Sequence, residues 1–148
     1  MGITISNHKK SIDMGYGGFL NLRATISTLV PCQEFVDIYR ELNEGYYTEW
    51  QKRGFKTREE YFEDYDNRVE EICVRNKLDE EVVNFLYRSD CDTKSLSPKA
   101  CRHLWWLIKD YDDNVLYGYC GRPDCAKFKD FKEIVRTCAK DRRVMRFS

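Results

Sequence analysis

Apolar residues along the 148-residue chain fall mostly three and four positions apart, the period of an amphipathic helix. Phe19, Leu22, Ile26, Leu29 and Val30 form the first stripe. Pro31 ends it, because the ring disfavours helical geometry at Val30 and proline has no amide donor. Cys32, Phe35, Ile38, Tyr39 and Leu42 form the second, with Gly45 as its expected stop. Residues 46–56 read as aromatic and irregular. Thr57 and Glu60 have the spacing of a capping box, opening a helix expected to bury Phe62, Tyr65, Val69, Ile72 and Cys73. A short helix opens at Asp79, with Val82, Phe85 and Leu86 inward. Ser97-Pro98 places a cap before proline at the first helical position, and Cys101, Leu104, Trp105, Ile108 and Tyr111 follow on one face. Residues 112–123 read as a loop or short hairpin. Asp124 is the expected cap of a last helix carrying Cys125, Phe128, Phe131, Val135 and Cys138.

Alternation with period two is confined to residues 2–6 and 143–147, and these two segments are expected to pair. The predicted fold is mainly α: about six helices with a small β element joining the N- and C-terminal strands, α+β being the alternative, in one compact domain over residues 1–148. The composition, 42% hydrophobic and 34% charged, excludes intrinsic disorder and low complexity. The longest apolar run, Leu104 to Ile108, has five residues against about 20 for a membrane span, so no membrane contact is expected. The seven cysteines are odd in number, several lie on apolar helix faces, and the start of the chain lacks the charge and apolar pattern of a secretory signal. Reduced, buried thiols and a cytoplasmic location follow as expectations. Gly2 sits in a loose myristoylation pattern, but Ile3 and Ile5 favour a first strand.

Candidate chemistry is sparse. Cys101 and His103 are two residues apart on a helix and point away from each other, so they cannot share an ion. Cys120 and Cys125 lack the short spacing of zinc ribbons. Asp90-Cys91-Asp92 begins like a calcium loop but has Ser95 and Cys101 where glycine and glutamate are needed. No metal and no cofactor are expected. Gly15-Tyr16-Gly17-Gly18 lacks the lysine of a phosphate loop, yet the helix after it has free amides that suit an anion. Tyr16, Gly17 and Gly18 are therefore candidate ligand residues; the alternative is a tight helix entry with glycines at positive φ. No nucleophile and base stand at a recognisable spacing, and no catalytic residue is assigned.

Charge is more informative. Twenty-five Lys+Arg balance 25 Asp+Glu, but residues 1–96 sum to −5 and residues 97–148 to +5. Glu59, Glu63, Asp66 and Glu70 form an acidic ladder along one helix. Lys129, Lys132, Arg136, Lys140 and Arg143 form a basic ladder along the last. Like charges at these spacings repel, so each ladder answers either the other or a partner. Trp106 falls about 160° from the apolar face of its helix, beside Arg102 and Lys109, where an exposed indole suits stacking or a hot-spot contact. The segment Tyr117-Gly118-Tyr119-Cys120-Gly121-Arg122-Pro123-Asp124 combines rigid aromatics with flexible backbone, which makes Tyr117, Tyr119 and Arg122 further candidates.

The segments Ser11–Phe19, Asp110-Tyr111-Asp112-Asp113-Asn114 and Tyr117–Cys125 resemble small phage and prophage proteins of Gram-positive bacteria. The resemblance carries no catalytic residue. It implies a compact accessory protein acting on a host system, antiviral defence included. The function expected is a non-catalytic binding protein of phage or mobile-element origin. It would inhibit a host protein through Arg102, Trp106, Lys109, the 117–124 loop and the basic ladder. The alternatives are sequestration of a nucleotide-like small molecule, and an enzyme cleaving such a molecule with the aspartates at 110–113.

Overall fold

The computed structural model describes residues 2–52, 54–87, 94–115 and 126–148, the side chains of 43–52 excepted. They form β1 (Gly2–Ser6), β2 (Ser11–Gly15), α1 (Tyr16–Leu29), α2 (Gln33–Lys52), α3 (Arg58–Asn76), α4 (Glu80–Tyr87), β3 (Ser95–Leu96), α5 (Pro98–Ile108), α6 (Phe128–Asp141) and β4 (Met145–Phe147). The fold is six helices with a small antiparallel sheet of order β2-β1-β4-β3. The terminal strands pair as expected, Ile5 opposite Phe147 and Ser6 opposite Arg146.

The chain gathers into two compact units, Met1–Leu29 with Asp79–Ser148, and Val30–Leu78. In the first, Ile5, Ile12, Met14, Leu96, Met145 and Phe147 are buried side chains of the sheet. Opposed residues share a face, so the register puts them on one side. Phe85 of α4 is the hub of the aromatic packing. It meets Phe147 at 5.2 Å and Phe19 at 5.9 Å edge-on, and stacks on Phe131 at 6.3 Å. In the second unit α2 and α3 pack together. Glu41 accepts a hydrogen bond from the Tyr61 hydroxyl at 2.9 Å and a bidentate pair from Arg68 at 3.1 and 3.2 Å.

Several local signals act as read. The Thr57 hydroxyl accepts from the Glu60 amide, Ser97 accepts from the Ala100 amide with Pro98 following, and Asp79 accepts from the Glu81 and Val82 amides. Others need correction. Strand β2 is additional, formed because Asn7 accepts from the amides of Lys9 and Lys10 and closes a hairpin. The short strand β3 is additional too, pairing Leu96 with Met145. Helix α2 runs through Gly45 to Lys52. One interior glycine costs about 1 kcal/mol and does not stop a 20-residue helix. In α3 Tyr61 is buried while Phe62 is exposed, the reverse of the expected inward residue. Helix α5 ends at Ile108, and Tyr111 instead packs on Phe128 at 4.9 Å. Helix α6 begins at Phe128 after Lys127; its expected cap, Asp124, lies outside the described residues. Helices α3 and α6 both close on left-handed residues that are not glycine, Lys77 at φ 55° and Arg142 at φ 57°. Among the described residues no helix is long and apolar enough to cross a membrane.

Candidate functional site

Helices α5 and α6 pack side by side through buried Cys101, Leu104, Ile108, Phe131, Val135 and Cys138. Away from that seam lie six of the candidate residues: Arg102, Trp106, Lys109, Lys129, Arg136 and Lys140. Arg102 is exposed, Trp106 is 68% exposed, and the Lys109 ammonium lies 3.9 Å from the centre of the Trp106 ring. One step across, the Arg136 guanidinium sits over Trp105 at 5.8 Å, which joins the α5 group to the α6 cations. The tryptophans are thus held in cation–π contact, a geometry worth more as water is excluded.

The basic ladder does not stay intact. Lys129, Arg136 and Lys140 are exposed and, among the described residues, have no carboxylate partner. Lys132 is different: it is buried, its ammonium donates to the Lys109 carbonyl at 3.0 Å and to the Tyr111 carbonyl, and it pairs with Asp113 at 2.9 Å. It serves the C-terminal carbonyls of α5, where a cation is favoured, and leaves the candidate surface. Asp113 is occupied by that pair, and Asp112 accepts from the Asn114 amide at 2.9 Å. The first amides of α6 are also taken, Phe128 donating to the Val115 carbonyl and Lys129 to that of Asp113.

The acids of α6 face elsewhere. The β1–β2 turn lies along α6, its Asn7 amide donating to the Ile134 carbonyl at 3.2 Å. Lys10 pairs with Asp130 and Glu133, both at 2.8 Å, and His8 and Lys9 meet Asp141 at 2.8 and 3.3 Å. The turn therefore neutralises the carboxylates of the helix and, among the described residues, leaves Lys129, Arg136 and Lys140 unopposed. Partial burial opposes charge on Asp130, but the Lys10 ammonium and the Lys127 amide outweigh it and hold the carboxyl below its usual range. Hydrogen bonds from His8 and Lys9 do the same for Asp141. Carboxyls lowered in the folded state stabilise it above their unfolded pKa, near 4, and that contribution is lost as pH falls through the folded values. The thermal midpoint is expected to drop as pH is taken from about 5 to about 3, and to drop less steeply in Lys10→Met. Parallel slopes would remove the turn from the account.

The remaining candidates lie apart. Tyr16, Gly17 and Gly18 form the first turn of α1 rather than a loop before it. Among described glycines only Gly54 has positive φ, so the expected conformational role at this entry does not apply. Tyr117, Tyr119 and Arg122 lie outside the described residues. His103 meets Asp79, its Nδ1 at 2.5 Å from the carboxylate. Cys32, Cys73, Cys101 and Cys138 are buried thiols. A hydrogen bond with Cys138, together with burial, pushes the Cys101 thiol up, which makes it a poor nucleophile. Among the described residues no three His, Cys, Asp or Glu side chains gather as a metal site. A cleft of about 400 Å³ in the first unit is rimmed by Glu80 and Glu81 over Phe85, Leu96 and Phe147, a rim that repels phosphate.

Sequence reasoning placed Lys109 beside Trp106, as the structure has it, but missed the Arg136–Trp105 contact and the β1–β2 turn against α6. The positions of Trp105 and Arg136 were visible; that they meet depends on the α5–α6 packing. No protein-family model, curated protein or solved structure matches the chain.

Proposed function

We propose that this chain is a non-catalytic binding protein that inhibits a host protein by covering an acidic surface with the outer face of α5 and α6. The observation that carries the reading is the row of exposed cations at Lys129, Arg136 and Lys140, without a carboxylate partner among the described residues, with Arg136 reaching over Trp105 of α5 and the next residue, Trp106, left 68% exposed. Exposed Trp and Arg are the residue types that dominate protein interfaces, and unopposed cations steer an acidic partner to them. Side chains this exposed suit a macromolecular surface better than a nucleotide-sized ligand, since small-molecule sites bury most of their ligand. Asp112 and Asp113 are engaged in the turn after α5, which weighs against a hydrolytic role for them. The resemblance to phage and prophage proteins supplies the setting, with a component of bacterial antiviral defence as the host protein.

Affinity capture from a Gram-positive lysate tests the reading. The expected partner is retained at low salt, released at high salt, and lost with Trp106→Ala and with Lys129→Glu/Lys140→Glu. A captured protein held equally by all three forms in high salt would sink it. A melting temperature raised by one nucleotide and by no host protein would favour the small-molecule alternative.

A further inference from the structure

The two compact units carry opposite charge. Residues 1–29 and 79–148 hold 17 Lys+Arg and 13 Asp+Glu, a net of +4, while residues 30–78 hold eight and twelve, a net of −4. On α3, Glu59, Glu63 and Glu70 are exposed and, among the described residues, have no cationic partner. Their spacing is four residues, then seven. On α6 the exposed cations Lys129, Arg136 and Lys140 are spaced seven, then four. Laid antiparallel, Glu59 falls opposite Lys140, Glu63 opposite Arg136 and Glu70 opposite Lys129. Each row is about 16 Å long at 1.5 Å per residue. The interrupted positions also nearly coincide. Asp66 on α3 is only partly exposed and has an interaction of its own, and Lys132 on α6 is turned inward.

We infer that the chain associates with a second copy of itself, the acidic row of α3 in one copy lying antiparallel on the basic row of α6 in the other. Charge complementarity in matching register names the occupant: each row presents what the other lacks, and within its own unit neither meets an opposite charge among the described residues. The two rows differ from one another, so the contact is heterologous and propagates or closes according to the rotation between copies. Built from exposed charge, it is weak and salt-sensitive. This inference does not rest on the host-partner reading, although both use the α6 cations, so the two kinds of contact compete for one face.

Sedimentation velocity of the full chain at low ionic strength and in about 0.5 M salt tests it. The expected result is association at low salt and monomer at high salt. Glu63→Lys/Glu70→Lys and Arg136→Glu/Lys140→Glu should each weaken association about tenfold or more. An equimolar mixture of the two should restore it, because each variant keeps one native row. Glu63→Gln/Glu70→Gln, with circular dichroism unchanged, should give an intermediate loss. A wild-type chain monomeric at low salt, reversal variants that associate like wild type, or a mixture that stays monomeric would each overturn the inference. Trp106→Ala separates the two readings, since Trp106 is outside both rows. Unchanged host capture with Trp106→Ala strikes only the host-partner reading, and association indifferent to charge reversal strikes only this one.

Discussion

Phe85→Ala is expected to destabilise the unit containing the sheet by about 3–5 kcal/mol, read as a lower denaturant midpoint. Phe85 is 1% exposed and holds three rings at once: Phe19 from α1, Phe131 from α6 and Phe147 from β4. Truncation removes the transfer energy of the ring, opens a cavity, and breaks three aromatic pairs that anchor different elements. Helix α4 is only eight residues long, so it has few other contacts with which to close that space. Trp106→Ala is the matched comparison, a larger side chain that is 68% exposed, with an expected change within about 0.5 kcal/mol. Similar losses in the two variants would mean that the aromatic hub does not hold the unit together.

The second large effect belongs to Lys132. Lys132→Met keeps the length and apolar stem but removes the ammonium from the Lys109 and Tyr111 carbonyls and from Asp113. Hydrogen bonds to a charged group contribute more than neutral ones, and acceptors left unmet in a part-buried site add a desolvation cost. A loss of about 2–3 kcal/mol is expected. Lys129→Met and Lys140→Met, made at exposed positions of the same ladder, should stay within about 0.5 kcal/mol of wild type. Binding should divide the other way, with Lys129 and Lys140 contributing and Lys132 silent once folding is controlled for. A uniform response across the three lysines would dissolve the distinction.

That distinction also marks where the sequence could be read and where it could not. The helices, their caps at Thr57 and Ser97, and the pairing of the chain ends were legible because each depends on neighbours a few residues away or on the only alternating segments. Lys132 looked like its neighbours because ladder spacing records sequence interval, not depth. A finer reading had a signal to use. On the α6 wheel Lys132 stands about 100° from the centre of the buried face, while Lys129, Arg136 and Lys140 stand about 140–180° away. The exchange of Tyr61 for Phe62 was not legible, because the buried hydroxyl finds Glu41 on another helix. Strand β2 was missed for a related reason. Its two inward residues, Ile12 and Met14, are too few to establish alternation without the hairpin that pairs them with β1.

The order of the sheet has a consequence for how the molecule is made. Strand β4 lies between β1 and β3, and Ser148 exchanges backbone hydrogen bonds with Thr4. The N-terminal hairpin can form early, but its open edge waits for a strand that leaves the ribosome more than a hundred residues later. Until then β3 has nothing to pair with, and the exposed rim of β1 is free to recruit strands from other nascent chains.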